Sequence, residues 1–227
     1  MQYEGKVFGI GFYKTATTTL FEALRILGYH TVNGDTPGSY PGADDGAKLI
    51  RQIEAGDFRL PTFAMFEGFT DNPYFRIWRE IHAMYPDARY ILTVRDEEPW
   101  IASCVGFFHN RRIRPMRAWM FGPHADPSRD EQSRQAWLDA YRAHNRAVRE
   151  FFATRPGQFL ELDPTRERGW QRLCAFLQAP VPTRPWPHAN PGRGDLPWRG
   201  PWRWLRRALG LEMRVPPAGP GDDRDPS

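Results

Sequence analysis

Lys14 stands in a cluster of small hydroxyl residues: Thr15, Thr17, Thr18 and Thr19, with Ala16 among them. An ammonium, four hydroxyls and a run of backbone N–H groups are what it takes to hold a phosphate or a sulfate. The chemistry this suggests is transfer of a group that leaves behind an anionic oxygen. The chain has only three lysines, Lys6, Lys14 and Lys48. A lysine in this loop of an arginine-rich chain suits a single developing oxyanion, because its charge is compact rather than spread over a planar fork. Val7, Phe8 and Ile10 before the loop read as a buried strand. Leu20, Leu24 and Leu27 after it, closed by Gly28, read as one face of a helix. Strand, loop and helix start together present unpaired N–H groups and the positive end of a helix dipole.

A second pair of donors follows another strand. Residues 89–94 are largely apolar, and Arg95 ends the run. Asp96 reads as a helix N-cap, with Glu97, Glu98 and Pro99 in the first turn. Ser103 lies eight residues beyond Arg95. A guanidinium and a hydroxyl are both donors that an anionic group can use. An ATP-binding Walker loop is a strained alternative: Tyr13 stands where Gly must precede the Lys, and Phe8 stands where the first Gly belongs.

KTATTTL (Lys14–Leu20) and ILTVRDEEPWIASC (Ile91–Cys104) are similar to motifs of the sulfotransferases that use 3′-phosphoadenosine 5′-phosphosulfate (PAPS). YRAHNRAVREFF (Tyr141–Phe152) and LCAFLQAPVPTRPWPHAN (Leu173–Asn190) extend the resemblance, which spans roughly Lys6 to Asn190. It implies an α/β three-layer sandwich with a mostly parallel central sheet, of the P-loop NTPase-like sulfotransferase type. It implies PAPS as donor, 3′,5′-adenosine bisphosphate as product and no metal. The sulfate and 5′-phosphate would lie against Lys14, Thr15, Ala16, Thr17, Thr18 and Thr19, and the 3′-phosphate against Arg95 and Ser103. The family's cytosolic branch carries a Trp beside the loop threonines, where this chain has Thr19, so its adenine clamp must differ. Arg184 and Arg193 are the candidates for a basic C-terminal loop over the nucleotide, and Trp186 for adenine stacking. The resemblance leaves the acceptor open: a hydroxyl or amine on a small molecule, sugar or lipid.

The acceptor's proton needs a base. The resemblance implies that it lies beyond the central strand, in the segment 63–75, which offers Asp71, in Asp71-Asn72-Pro73, and secondarily Glu67. Asp71 reads equally as an N-cap for a helix starting at Tyr74. His82 and His109 are the remaining candidates, although a lone histidine on a helix is more often structural.

Strands are expected near Val7–Ile10, His30–Val32, Thr62–Phe66, Tyr90–Val94 and Phe159–Leu162. Helices are expected near Thr18–Leu27, Asp44–Ala55, Tyr74–Met84, Glu97–Phe107, Asp130–Thr154 and Gly169–Leu177. The alternation gives an α/β sheet covered on both faces, with ligands at the carboxyl ends of its strands. The Phe108–Asp130 insert, rich in Arg, Pro and aromatics, is long for a plain connection and reads as a lid, an acceptor loop or a self-packed excursion. A transferase domain over 1–190, a Pro/Trp/Arg-rich extension over 191–215 and a disordered tail over 216–227 are the expected divisions. Within the extension, Trp202–Met213 reads as a short basic amphipathic helix suited to weak contact with an anionic membrane or to docking on protein.

The 227 residues can enclose one sizeable core. A net charge of +4 fits an anionic cosubstrate, and no nucleic-acid reader motif appears, so nucleic acid is not an expected partner. Cys104 and Cys174 read as buried free thiols, and a cytoplasmic location is expected. Two other function classes compete with sulfuryl transfer: a P-loop small-molecule kinase, and a non-catalytic nucleotide-binding protein of the same fold.

Overall fold

The computed structural model describes residues 2–34, 45–167 and 169–187. In chain order these form β1 (Val7–Gly9), α1 (Thr17–Ile26), β2 (Thr31–Asn33), α2 (Gly46–Glu54), α3 (Thr62–Met65), β3 (Gly68–Thr70) and α4 (Trp78–Met84). Then come β4 (Arg89–Thr93), α5 (Glu97–Phe108), α6 (Pro115–Phe121), a 3-10 turn (Gly122–His124), α7 (Glu131–Phe152), β5 (Phe159–Leu162) and α8 (Trp170–Leu177).

The five strands make one sheet in the order β2-β3-β1-β4-β5, and every pairing is parallel. β1 is the centre, and its three residues are fully buried. Alternation along it feeds both faces of the sheet. Val7 joins Leu20, Leu24, Ile91 and Leu173 in the core under α1 and α8. Phe8 stacks on Phe69 at 4.6 Å and on Tyr90 at 5.6 Å on the other face. There Tyr90 and Phe159 meet Phe152 of α7. The result is an α/β sandwich with helices on both faces of the sheet.

The chain leaves β1 toward β2 on one side, whereas it leaves β4 toward β5 on the other. Connections that part in this way open a crevice at the carboxyl ends of the two strands. The loop carrying Lys14 follows β1, and Arg95 follows β4.

Two expected elements differ. The strand expected at Thr62–Phe66 is the helical turn α3, and the strand is Gly68–Thr70. An apolar run of five does not fix its own conformation. Gly68 decides the strand's place, because a Cβ there would lie 2.4 Å from Thr31 Cγ2 on β2. The helix expected from Tyr74 begins at Trp78; residues 71–77 form turns instead, with the N–H groups of Arg76 and Ile77 both donating to the Pro73 carbonyl. The other elements agree to within two residues.

The insert packs on its own neighbours. Phe121 of α6 stacks on Trp137 at 4.1 Å, and Trp119 Nε1 donates to Glu54 of α2 at 2.9 Å. No helix of the described residues is long and apolar enough to cross a membrane. Cys104 and Cys174 are buried and free. Arg193, the 202–213 segment and the expected tail lie outside the described residues.

Candidate active site

The loop after β1 turns its carbonyls toward the protein. Ile10 O accepts from His144 Nε2 at 2.8 Å, Phe12 O from Thr15 Oγ1 at 2.7 Å, and Tyr13 O from Trp100 Nε1 at 2.6 Å. Among the described residues, the N–H groups of residues 14–18 have no protein acceptor. Lys14 and Ala16 both adopt left-handed backbone, with φ of 62° and 64°. Alternation of this kind curls successive N–H groups into a nest for an anion. α1 then starts at Thr17 with no side-chain cap and no acidic residue in its first turn. Left-handed backbone at a residue other than glycine costs of order 1–3 kcal/mol and tends to persist at functional sites.

The Lys14 ammonium lies 3.8 Å from the centre of the Phe107 ring on α5. Burial pushes its pKa down. The Asp71 carboxylate acts in the opposite direction, and Arg111 and Arg95 add to the lowering. A desolvated lysine regains its hold on the proton when an anion sits against it. Burial also pushes the Cys104 thiol well up, so this neighbour stays neutral.

Asp71 follows β3 directly. Its Oδ1 accepts from the Asn72 N–H at 2.9 Å, and its Oδ2 faces the Thr17 hydroxyl at 3.5 Å. Its backbone is also left-handed, with φ of 69°. The carboxylate therefore faces the loop, and no helix starts there for it to cap. Glu67 stands at the other end of the same strand. It is exposed, and its Oε2 accepts from the His30 N–H at 3.2 Å. The two carboxylates are separated by the length of β3, on the order of 13 Å at strand rise, and the structure does not bring Glu67 into the Lys14 site. His82 packs against Tyr90 and Phe151, and His109 contacts Ser128.

Arg95 is held by its backbone. Tyr141 Oη accepts from the Arg95 N–H at 3.0 Å and donates to the Arg95 carbonyl at 2.7 Å. Tyr141 in turn stacks on Trp100 at 4.1 Å. Nearby arginines are paired: Arg149 with Glu161 at 2.7 Å, Arg172 with Glu167 at 2.6 Å, and Arg166 with Asp96. The Arg95 guanidinium has no carboxylate partner among the described residues, although it lies close enough to act on Lys14 and Cys104. Ser103, half-buried on α5, has no hydrogen-bond partner among them either. It lies one turn from Phe107, so both share a helix face. A cleft of about 660 Å³ opens beside Arg95, with Tyr141, Asn145 and Asp163 among its lining.

Other expected residues sit differently. The Thr15 hydroxyl is fully buried and committed to Phe12 O and Thr93 Oγ1, so Thr15 can offer an anion only its N–H. Thr19 is buried in α1, and its N–H donates to Ala16 O. Asp96 pairs with Arg166 rather than capping α5 through its side chain. Trp186 packs edge-on against Trp170 and over Gly169, within the core under α8. Arg184 is exposed, and its carbonyl is held by Trp170 Nε1.

Sequence reasoning missed Phe107, Thr93, Tyr141 and His144. Thr93 left a signal, a hydroxyl at the end of an apolar strand. Tyr141 reads as one more member of the core stripe of α7, and its hydroxyl gives no sign in sequence of where it points.

A family model described as a sulfotransferase domain matches residues 6–194. Ava biosynthesis cluster protein M of Aspergillus versicolor is 24% identical over 235 residues, covering 88% of this chain and 86% of that protein.

Proposed function

Because the chain belongs to the sulfotransferase family, we propose that it moves a sulfuryl group from PAPS to a hydroxyl or amine of a small-molecule acceptor. The observation that carries this is the polarity of the β1 loop: three carbonyls tied inward, N–H groups without an acceptor among the described residues, and a desolvated lysine among them. The relative's name places that protein in a biosynthesis cluster, which favours a small-molecule acceptor here.

The donor supplies an activated sulfuryl group. The N–H groups of residues 14–18 and the Thr18 hydroxyl hold oxygens of the phosphosulfate. Lys14 answers the charge that grows on the oxygen bridging phosphorus and sulfur as that bond breaks. Arg95 and Ser103 hold the 3′-phosphate, which distinguishes this donor from ATP. Asp71 takes the acceptor's proton as its oxygen or nitrogen bonds to sulfur. Lys14 and the helix start meet the leaving charge, so this chemistry asks for no metal.

Calorimetric titration with 3′,5′-adenosine bisphosphate, beside 5′-AMP and ATP–magnesium, tests the donor. The bisphosphate is expected to bind, and 5′-AMP to bind far more weakly. Binding of ATP–magnesium but not the bisphosphate would replace this reading with a kinase.

A further inference from the structure

Phe107 carries two cations. Lys14 Nζ lies 3.8 Å from its ring centre and Arg111 Cζ lies 4.1 Å from the same point. The two charges can therefore be no farther apart than those distances laid end to end, and Arg111 is among the groups that act on Lys14. Two cations brought this close repel each other, which favours an anion between or beside them. The ring is 38% exposed and Arg111 is exposed, so the pair is open to a ligand.

Arg111 sits on a braced segment. Arg117 is only 4% exposed, stacks on Phe108 at 4.3 Å, and donates from one guanidinium nitrogen to the carbonyls of Arg111 and Arg112 at 3.3 and 3.2 Å. Its buried Nε has no hydrogen-bond partner among the described residues. Burying an arginine is costly unless its donors are used, and here they fix the backbone that presents Arg111. The segment itself is basic: from Pro99 to Ala125 the chain has four arginines, Arg111, Arg112, Arg114 and Arg117, and no Asp or Glu, while Asp126 acts on Arg117 and Asp71 on Lys14.

We propose that the sulfate acceptor carries an anionic group, a carboxylate or phosphate, held by Arg111 at the rim of the Lys14 site. The proposal rests on the sulfotransferase reading above. It places the acceptor's charge a few bonds from its nucleophilic atom, since that atom must reach the sulfur beside Lys14 at roughly 3–3.5 Å. Phe107 offers its edge and remaining surface to the apolar part of the same molecule.

The probe is phenyl phosphate, titrated into protein saturated with 3′,5′-adenosine bisphosphate, in wild type and in Arg111→Gln. Arg111 is exposed, so the variant should fold. Phenyl phosphate is expected to bind the loaded wild type and to bind the variant about tenfold more weakly, the loss of roughly one charge-assisted contact. Affinities for the bisphosphate and for PAPS should stay within twofold. Failure of phenyl phosphate to bind the loaded wild type, or equal binding to both proteins, overturns the proposal. A tenfold loss of PAPS affinity in the variant also overturns it, by putting Arg111 on the transferring sulfate. If the wild type binds no bisphosphate, the donor reading itself fails, and that result is distinct from the others.

Discussion

The hydroxyls of Thr15 and Thr93 meet at 2.7 Å, and both residues are fully buried. This bond fastens the anion loop of β1 to the end of β4, the two elements that carry Lys14 and Arg95. Gly11 shows how tight the join is: a Cβ there would lie 1.8 Å from Thr93 Oγ1. Thr93→Val keeps the shape and removes the bond. It should cost about 1–2 kcal/mol and lower Tm by a few degrees, on the order of 2–8 °C. Affinity for 3′,5′-adenosine bisphosphate should fall with it. A variant that melts within a degree of wild type would show that the loop is held by other contacts.

Lys14 and Arg95 should separate kinetically. In the proposed reaction Lys14 meets charge that develops only as the bond to sulfur breaks, so Lys14→Ala should lower turnover by about 10²–10³. Bisphosphate affinity should change by less than about tenfold. Arg95 has no carboxylate partner among the described residues and, in the proposed reaction, holds a charge present in the ground state, so Arg95→Ala should weaken bisphosphate binding by roughly 10–100-fold. Single-turnover rates beside calorimetric Kd values distinguish the two. Equal loss of affinity in both, with turnover of the bound complex intact, would refute these roles.

The two carboxylates around β3 should behave oppositely. Asp71 faces Thr17 and acts on Lys14, whereas Glu67 lies at the amino end of the strand beside His30. Asp71→Asn should lower turnover by on the order of 10²–10⁴ as the proton acceptor is lost. Bisphosphate should bind the variant at least as well, because a negative charge has left the anion site. Glu67→Gln should leave turnover within about twofold of wild type. A larger effect from Glu67→Gln than from Asp71→Asn would reverse the assignment.

The loop and the Arg95 strand were legible because their chemistry is local. Lys14 and the threonines sit between an apolar strand and a periodic helix, and Arg95 closes an apolar run. The parallel sheet followed from the alternation of elements. That Glu67 lies at the end of β3 away from Lys14 was not legible, because an acid near a strand says nothing about which end of the strand it occupies, and the strand begins a few residues later than its apolar run suggests. Phe107 and Tyr141 were hidden for another reason: an aromatic on an amphipathic helix is core by default. Only the packed structure shows one ring under Lys14 and one hydroxyl bonded to both backbone groups of Arg95.

His144 ties the loop to α7 and makes that tie depend on pH. Its Nε2 faces the Ile10 carbonyl, which can only accept, so Nε2 carries the proton of the neutral ring. Burial, with Arg79 and Arg76 nearby, lowers its pKa to about 4 despite the opposing effect of that bond. An unfolded histidine titrates near 6.5. Above about pH 6.5 neither state binds the proton and His144 contributes no pH dependence. Between about 6.5 and 4 the unfolded chain takes up a proton that the native site refuses, so stability falls as pH falls, by at most about 1.4 kcal/mol per pH unit. His144→Gln can keep an amide donor toward Ile10 but cannot titrate. Urea unfolding of both proteins at pH 7 and pH 5 checks this. The variant should be less stable than wild type at pH 7 and should close much of the gap at pH 5. A gap that is the same at both pH values would mean that His144 takes up its proton in the native state about as readily as in the unfolded chain, and that burial of the loop's anchor does not hold it neutral.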